Sequence, residues 1–144
     1  MALTKGVNHV GLSVTDLEAS KAFFTDILEF ETVEYAEGHH AYVTDKGTMI
    51  TLWQTAEKEA TVNVAGLHHL ALSVESVPVL RQIEERMKER GIRLSFGGIG
   101  VKGQEGGTIA LFCYDPSGIR IELTTPERDT KKEIPIIGGC GAVE

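Results

Sequence analysis

Asn8-His9-Val10-Gly11-Leu12-Ser13-Val14 is answered 60 residues later by His68-His69-Leu70-Ala71-Leu72-Ser73-Val74, and four of the seven positions are identical. Both stretches alternate apolar and small or polar residues, the period-two pattern of a half-buried strand. Helix signals follow each at the same distance. After the first, Thr15-Asp16-Leu17-Glu18 has the form of a capping box in which Glu18 reaches back to the cap. Ala19, Ala22, Phe23, Ile27 and Leu28 then recur at helical spacing. After the second, Ser76 is the expected N-cap, with Pro78 accommodated in the first turn and Gly91 closing the helix.

The repeat extends to the ends of the two halves. Gly47-Thr48-Met49-Ile50-Thr51-Leu52 aligns with Gly118-Ile119-Arg120-Ile121-Glu122-Leu123. Between helix and final strand each half has room for two more strands, near 30–36 and 39–45, then near 92–96 and 107–114. The predicted class is therefore α+β: two tandem βαβββ modules, about 5–55 and 66–125, forming a cup-shaped mixed sheet with helices on its outer face. They make a single domain over 1–126, joined by a polar linker at 56–66. Asp115-Pro116-Ser117-Gly118 predicts a tight hairpin before the last strand, Pro fixing φ and Gly supplying a positive one. The segment 127–144, interrupted by Pro135 and by Gly138-Gly139-Cys140-Gly141, reads as a mobile or partner-docked tail.

Composition narrows the function classes. With 144 residues, 42% hydrophobic and 24% charged, the chain has an ordinary globular balance. Its net charge of −7, without a basic cluster, disfavours nucleic acid and anionic membrane surfaces as partners. No apolar run has the roughly 20 residues needed to span a bilayer, and no leader pattern precedes the first strand. Cys113 and Cys140 are too few for a disulfide framework, so two reduced thiols in a cytoplasmic protein are expected, with a bridge between them left open.

Strand alternation selects the candidate site. Val10, Leu12 and Val14, like Leu70, Leu72 and Val74, should face a helix, leaving His9, Gly11 and Ser13 and His69, Ala71 and Ser73 on the other side. In the final strands Arg120, Glu122 and Thr124 share that side, as do Met49, Thr51 and Trp53. His9, His69 and Glu122 thus fall on one polar face at repeat-related positions among small neighbours. Two imidazoles and a carboxylate bind a divalent transition metal and leave coordination positions free for a ligand. His68 points to the opposite side from His69. His39 and His40 lie on a probable strand, and one of them is a candidate acid–base group in the cup. Trp53, Phe112 and Tyr114 would line it, Thr51 would contact substrate, and Lys102 is a candidate for an anionic substrate group, although a solvated lysine is the simpler expectation. Gly98-Ile99-Gly100-Val101-Lys102-Gly103 fits G-x-G-x-x-G but opens no helix, so the stretch from Gly97 to Gly107 reads as a flexible loop at the cup's mouth.

Paired modules that begin with His9-Val10-Gly11-Leu12-Ser13-Val14 and His69-Leu70-Ala71-Leu72-Ser73-Val74, and end with Tyr114-Asp115-Pro116-Ser117-Gly118-Ile119-Arg120-Ile121-Glu122-Leu123, resemble the vicinal oxygen chelate superfamily. That group includes glyoxalase I, extradiol dioxygenases, fosfomycin-resistance proteins and bleomycin-binding proteins. The resemblance covers about residues 5–125 and implies four candidate ligand positions, which map to His9, Thr51, His69 and Glu122. Thr51 departs from the Glu, His or Gln of glyoxalase- and epimerase-like members. The remaining His, His, Glu set resembles that of extradiol dioxygenases and fosfomycin-modifying transferases. Gly11 and Phe112 stand where the latter usually carry Thr and Tyr. The resemblance therefore implies, first, an extradiol-type Fe(II) dioxygenase acting on a small catechol-like or enolic substrate. The alternatives are a transferase or lyase using Mn(II), Ni(II) or Zn(II), and a non-catalytic small-molecule binder. A homodimer is expected, because paired modules leave sheet edges that need cover.

Overall fold

The computed structural model describes residues 1–144, and the chain divides into two compact units, Met1–Glu59 and Ala60–Glu144. Each carries one open mixed sheet with a helix on one face, which is the α+β class the repeat predicts.

In the first unit, strand β1 (Val10–Val14) leads into helix α1 (Leu17–Ala22), which continues as a π-helical turn over Phe23–Ile27. Strands β2 (Glu31–Ala36), β3 (His40–Thr44) and β4 (Met49–Gln54) follow. The sheet order is β1-β4-β3-β2, with β1 parallel to β4 and the other pairs antiparallel. The apolar positions picked out by alternation are the buried ones. Leu12, Val14, Ala41, Val43, Ile50 and Leu52 pack with Leu17, Phe23, Phe24 and Ile27 of the helix. Each large side chain so buried stabilises the fold by about 1.5–3 kcal/mol.

The helix start differs from the expected capping box. Asp16 is the N-cap and accepts from the Ala19 N–H at 3.1 Å, while Gln54 Oε1 accepts from the Leu17 N–H at 2.6 Å. Glu18 is thereby free to take the Tyr35 hydroxyl, which donates to its carboxylate. That hydrogen bond is the main reason the Tyr35 phenol is pushed up to about 12.

In the second unit, strand β5 (Leu70–Ser73) precedes helix α2 (Val77–Glu89), capped by Ser76 as predicted. Strands β6 (Gly100–Lys102), β7 (Ile109–Tyr114), β8 (Arg120–Thr125) and β9 (Ile136–Ile137) complete a sheet of order β5-β8-β7-β6-β9. The predicted hairpin forms: Asp115 Oδ1 accepts from the N–H groups of Ser117 and Ile119 at 2.9 and 3.0 Å, and Gly118 has a φ of +80°.

Three expectations for this unit are corrected. Residues 92–96 form no strand and contribute only an isolated bridge between Leu94 and Cys113. The third strand lies instead at Gly100–Lys102, inside the stretch expected to be a flexible loop. The tail, expected to be mobile or partner-docked, joins this unit's own sheet. Its Ile136–Ile137 pairs in parallel with β6, and Ile137 packs with Ala110, Phe112 and Phe96 over the sheet face away from α2. Gly100 makes this possible, because a Cβ there would lie 2.2 Å from the Ile137 side chain. No helix of the chain is long and apolar enough to cross a membrane.

Candidate functional site

The two sheets place their repeat-related residues in the same register. Gly11 stands opposite Thr51 across β1 and β4, and Ala71 stands opposite Glu122 across β5 and β8. The alignment of Thr51 with Glu122 is therefore a structural equivalence, although the chemistry at the two positions differs.

In the second unit Glu122 is 1% exposed, yet both carboxylate oxygens have neighbours. Oε2 accepts from the Lys102 ammonium at 2.5 Å. Oε1 lies 3.5 Å from His69 Nε2 and accepts from the Cys140 thiol at 3.2 Å. Lys102 Nζ also reaches Cys140 Sγ at 3.8 Å. The solvated Lys102 of the sequence analysis is thus corrected: β6 turns its side chain inward, and Glu122 holds it. A carboxylate this deep needs such a partner, since an unpaired buried charge costs several kcal/mol. Burial lowers the pKa of His69, with Glu122 opposing the shift, so the imidazole is neutral near pH 7 and has a lone pair to offer. Burial, and then the hydrogen bond to Glu122, pushes the Cys140 thiol up.

Phe112 and Tyr114 lie on the same sheet face, but beneath the C-terminal segment rather than along an open cup. Phe112 is fully buried, with the Arg120 guanidinium 4.3 Å above its ring and His69 at its edge. Tyr114 donates its hydroxyl to the Glu144 backbone oxygen at 2.8 Å. Arg120, itself 2% exposed, donates to the backbone oxygens of Cys140 and Ala142 at 2.6 and 2.8 Å. Sequence reasoning gave Cys140 no role. Its only signal was a cysteine amid glycines, which says nothing of where the backbone carries it.

The first unit offers a different set. His9 is exposed, and its Nδ1 lies 2.8 Å from Asn8 Oδ1. Thr51 accepts from the Trp53 indole N–H at 2.9 Å. The space over Gly11 is not vacant, since a Cβ there would approach Thr51 Oγ1 to 3.2 Å. His40 stands beside Trp53 and Tyr42, with ring centroids 5.1 and 5.0 Å away, and its Nε2 lies 2.7 Å from Glu34 Oε2. His39, expected on the strand, is outside this group, exposed in the turn before β3.

A divalent ion suits the second-unit donors. Atoms bound at about 2.0–2.3 Å from a tetrahedral ion stand about 3.3–3.8 Å from one another. The spacing of 3.5 Å between His69 Nε2 and Glu122 Oε1 fits that separation.

Comparison with known proteins gives the same grouping. Residues 6–123 match the sequence model of the Glyoxalase/Bleomycin resistance protein/Dioxygenase superfamily. YqjT of Bacillus subtilis (strain 168), an uncharacterized protein, is 28% identical over 126 residues, covering 83% of this chain and 98% of its own. A glyoxylase/bleomycin resistance protein/dioxygenase domain from Frankia sp. EAN1pec superposes with a TM-score of 0.72 at 26% identity, over 86% of this chain and 93% of that one. FosX, a fosfomycin resistance protein from Listeria monocytogenes, gives 0.69 at 24% identity over 87% and 96%, a likeness of fold.

Proposed function

The chain belongs to the Glyoxalase/Bleomycin resistance protein/Dioxygenase superfamily, and on that premise we propose that it is a divalent-metal-dependent enzyme acting on a small oxygen-bearing molecule. The observation that carries this is the Glu122 carboxylate, buried with Oε1 turned to a neutral His69 and Oε2 tied to Lys102. His69 and Glu122 are the ligands in this proposal, and His9 is the third, assigned by the repeat and by the resemblance.

The reaction proposed first is extradiol-type dioxygenation of a catechol-like or enolic substrate with Fe(II). The bound ion would supply Lewis acidity toward two adjacent substrate oxygens and, as Fe(II), reactivity toward dioxygen. The chain's own residues do the rest. Lys102 fixes the Glu122 carboxylate so that one oxygen stays available. His40, paired with Glu34, can take up a proton and return it. Trp53, 38% exposed, and Tyr42 present aromatic surface to a planar molecule. A second reading, a lyase or transferase using Mn(II), Ni(II) or Zn(II), is favoured by the Cys140 thiol beside Glu122, a donor better matched to Zn(II). A cytoplasmic homodimer is part of the same proposal.

The test is metal content after anaerobic loading with Fe(II), Mn(II) or Zn(II), followed by oxygen uptake with a panel of catechols. Wild type should hold about one ion per chain, and Glu122→Ala, His69→Ala and His9→Ala should each lose it or bind it at least about tenfold more weakly. Oxygen uptake only with Fe(II) and a catechol supports dioxygenation; turnover without oxygen uptake moves the reaction to the second reading. Equal metal content in wild type and Glu122→Ala would sink both.

A further inference from the structure

The C-terminal segment is built onto the candidate site rather than merely lying near it. After Ile137 the chain passes Gly138, where a Cβ would fall 2.6 Å from Ala142 and 3.0 Å from the Phe96 ring, and turns at Cys140–Gly141, closed by the Ala142 N–H donating to the Gly139 oxygen at 3.0 Å. Arg120 then binds the backbone oxygens on both sides of Gly141, and Tyr114, Ser95 and Arg93 all donate to the Glu144 backbone oxygen. With the main chain held at these points, the Cys140 side chain is directed at Glu122. Its sulfur is 3.2 Å from Oε1, the same oxygen that faces His69. The ligand atoms of His69, Glu122 and Cys140 all lie within 4.8 Å of one another.

We infer that Cys140 is itself a ligand, and that residues 138–144 form a strap that carries its thiolate onto the metal held by His69 and Glu122. The inference rests on the metal reading above and adds to it a donor from outside the repeated modules. Spacing supports it: the distances of 3.2 and 3.5 Å from Oε1 to the sulfur and the imidazole nitrogen are near those between ligands of one small ion. Charge supports it independently. The Lys102 ammonium offsets the Glu122 carboxylate, so a thiolate restores the negative charge a divalent ion needs, and Lys102 at 3.8 Å from the sulfur stabilises that anion. The thiolate is the ligand form, so coordination releases the thiol proton to solvent. The other cysteine takes no part, because Cys113 is fully buried and directs its thiol to the Ile121 backbone oxygen. With the strap in place Cys140 would take one of the positions that the other ligands leave free.

Titration of the full-length protein with Co(II) tests this, since a bound thiolate gives a near-ultraviolet charge-transfer band that nitrogen and oxygen ligands do not. Wild type is expected to show the band and, as Co(II) saturates, slower reaction of Cys140 with a thiol reagent. Cys140→Ser should lose the band and bind Co(II) at least about tenfold more weakly. The serine variant keeps the backbone bonds that anchor the strap, and Cys140→Ala serves as a second check. Co(II) bound by wild type without the band, yet lost in His69→Ala, overturns the Cys140 assignment and leaves the metal-enzyme reading standing. A band that forms with undiminished affinity in both His69→Ala and Glu122→Ala also overturns it, because the thiolate would then bind metal elsewhere. Absence of bound Co(II) in wild type overturns both together.

Discussion

Thr51 and Glu122 occupy the same place in two copies of one motif, and the chain treats them in opposite ways. Thr51 sits across from Gly11 and spends its hydroxyl on the indole of a half-exposed Trp53. Glu122 sits across from Ala71 and is enclosed by Lys102, His69 and Cys140, with the strap above. The two βαβββ frames are alike, so the difference does not come from the sheet. It comes from what is placed over its free face: aromatic side chains from β3 and β4 in the first unit, residues 136–144 in the second. A repeated scaffold supplies two equivalent positions, and additions outside the repeat decide which becomes a charged, buried site.

The sharpest way to break the contrast is to remove the cation that makes Glu122 tolerable. Lys102→Met leaves the carboxylate buried without its ammonium, and such half-broken pairs cost about 3 kcal/mol or more. For a chain of this size that lowers Tm by about 10 °C. The double variant Lys102→Met/Glu122→Leu should recover most of the loss, because an apolar pair of similar volume replaces a charged one. Urea denaturation of the singles and the double measures this. If the double is no more stable than Lys102→Met, burial of the carboxylate is not what the lysine offsets.

The same substitution on the other side of the comparison should be mild. Thr51→Val removes the acceptor of the Trp53 indole N–H while keeping the shape, and the indole is exposed enough to find water. The expected cost is about 1 kcal/mol or less, with metal content unchanged. A loss of bound metal in Thr51→Val would make Thr51 part of the coordination sphere and erase the distinction between the two positions.

How far this contrast was legible in the sequence depends on the kind of contact involved. The strands β1, β5 and β8, the hairpin at Asp115 and the face carrying Glu122 follow from local periodicity and turn chemistry, and they stand where expected. The α1 cap was misplaced by one residue because Thr15 and Asp16 are both good caps. The choice fell to Gln54, distant in sequence, which takes the Leu17 N–H and donates to the Thr15 oxygen. The third strand of the second unit was misplaced for a related reason. Gly100–Lys102 is a short strand created by pairing with β7 and β9 on its two sides, and its own residues carry no strand pattern. The strap left no trace because Arg120, Tyr114 and Ser95 grip its backbone oxygens, which any sequence provides. Lys102 and Cys140 reach the site only through these two unpatterned segments.

The smallest effect concerns the protonation of His69, and it separates the two histidines that the repeat equates. Burial depresses the pKa of His69, while His9 is exposed, with Nδ1 beside Asn8. Unfolded, the His69 imidazole titrates at about 6.5. With its folded value below that, His69 leaves the folded protein holding fewer protons than the unfolded chain in the window between the two. Its contribution to stability is therefore complete above the unfolded value and is lost as pH falls through the folded one. Urea midpoints taken from about pH 7.5 to about pH 5 should fall more steeply for wild type than for His69→Gln. A wild type that gains stability on acidification relative to His69→Gln would mean that attraction to Glu122 outweighs burial. The imidazole would then be charged near neutrality, with no lone pair for a metal, and His69 would be an ion-pair partner of Glu122 instead of a ligand beside it.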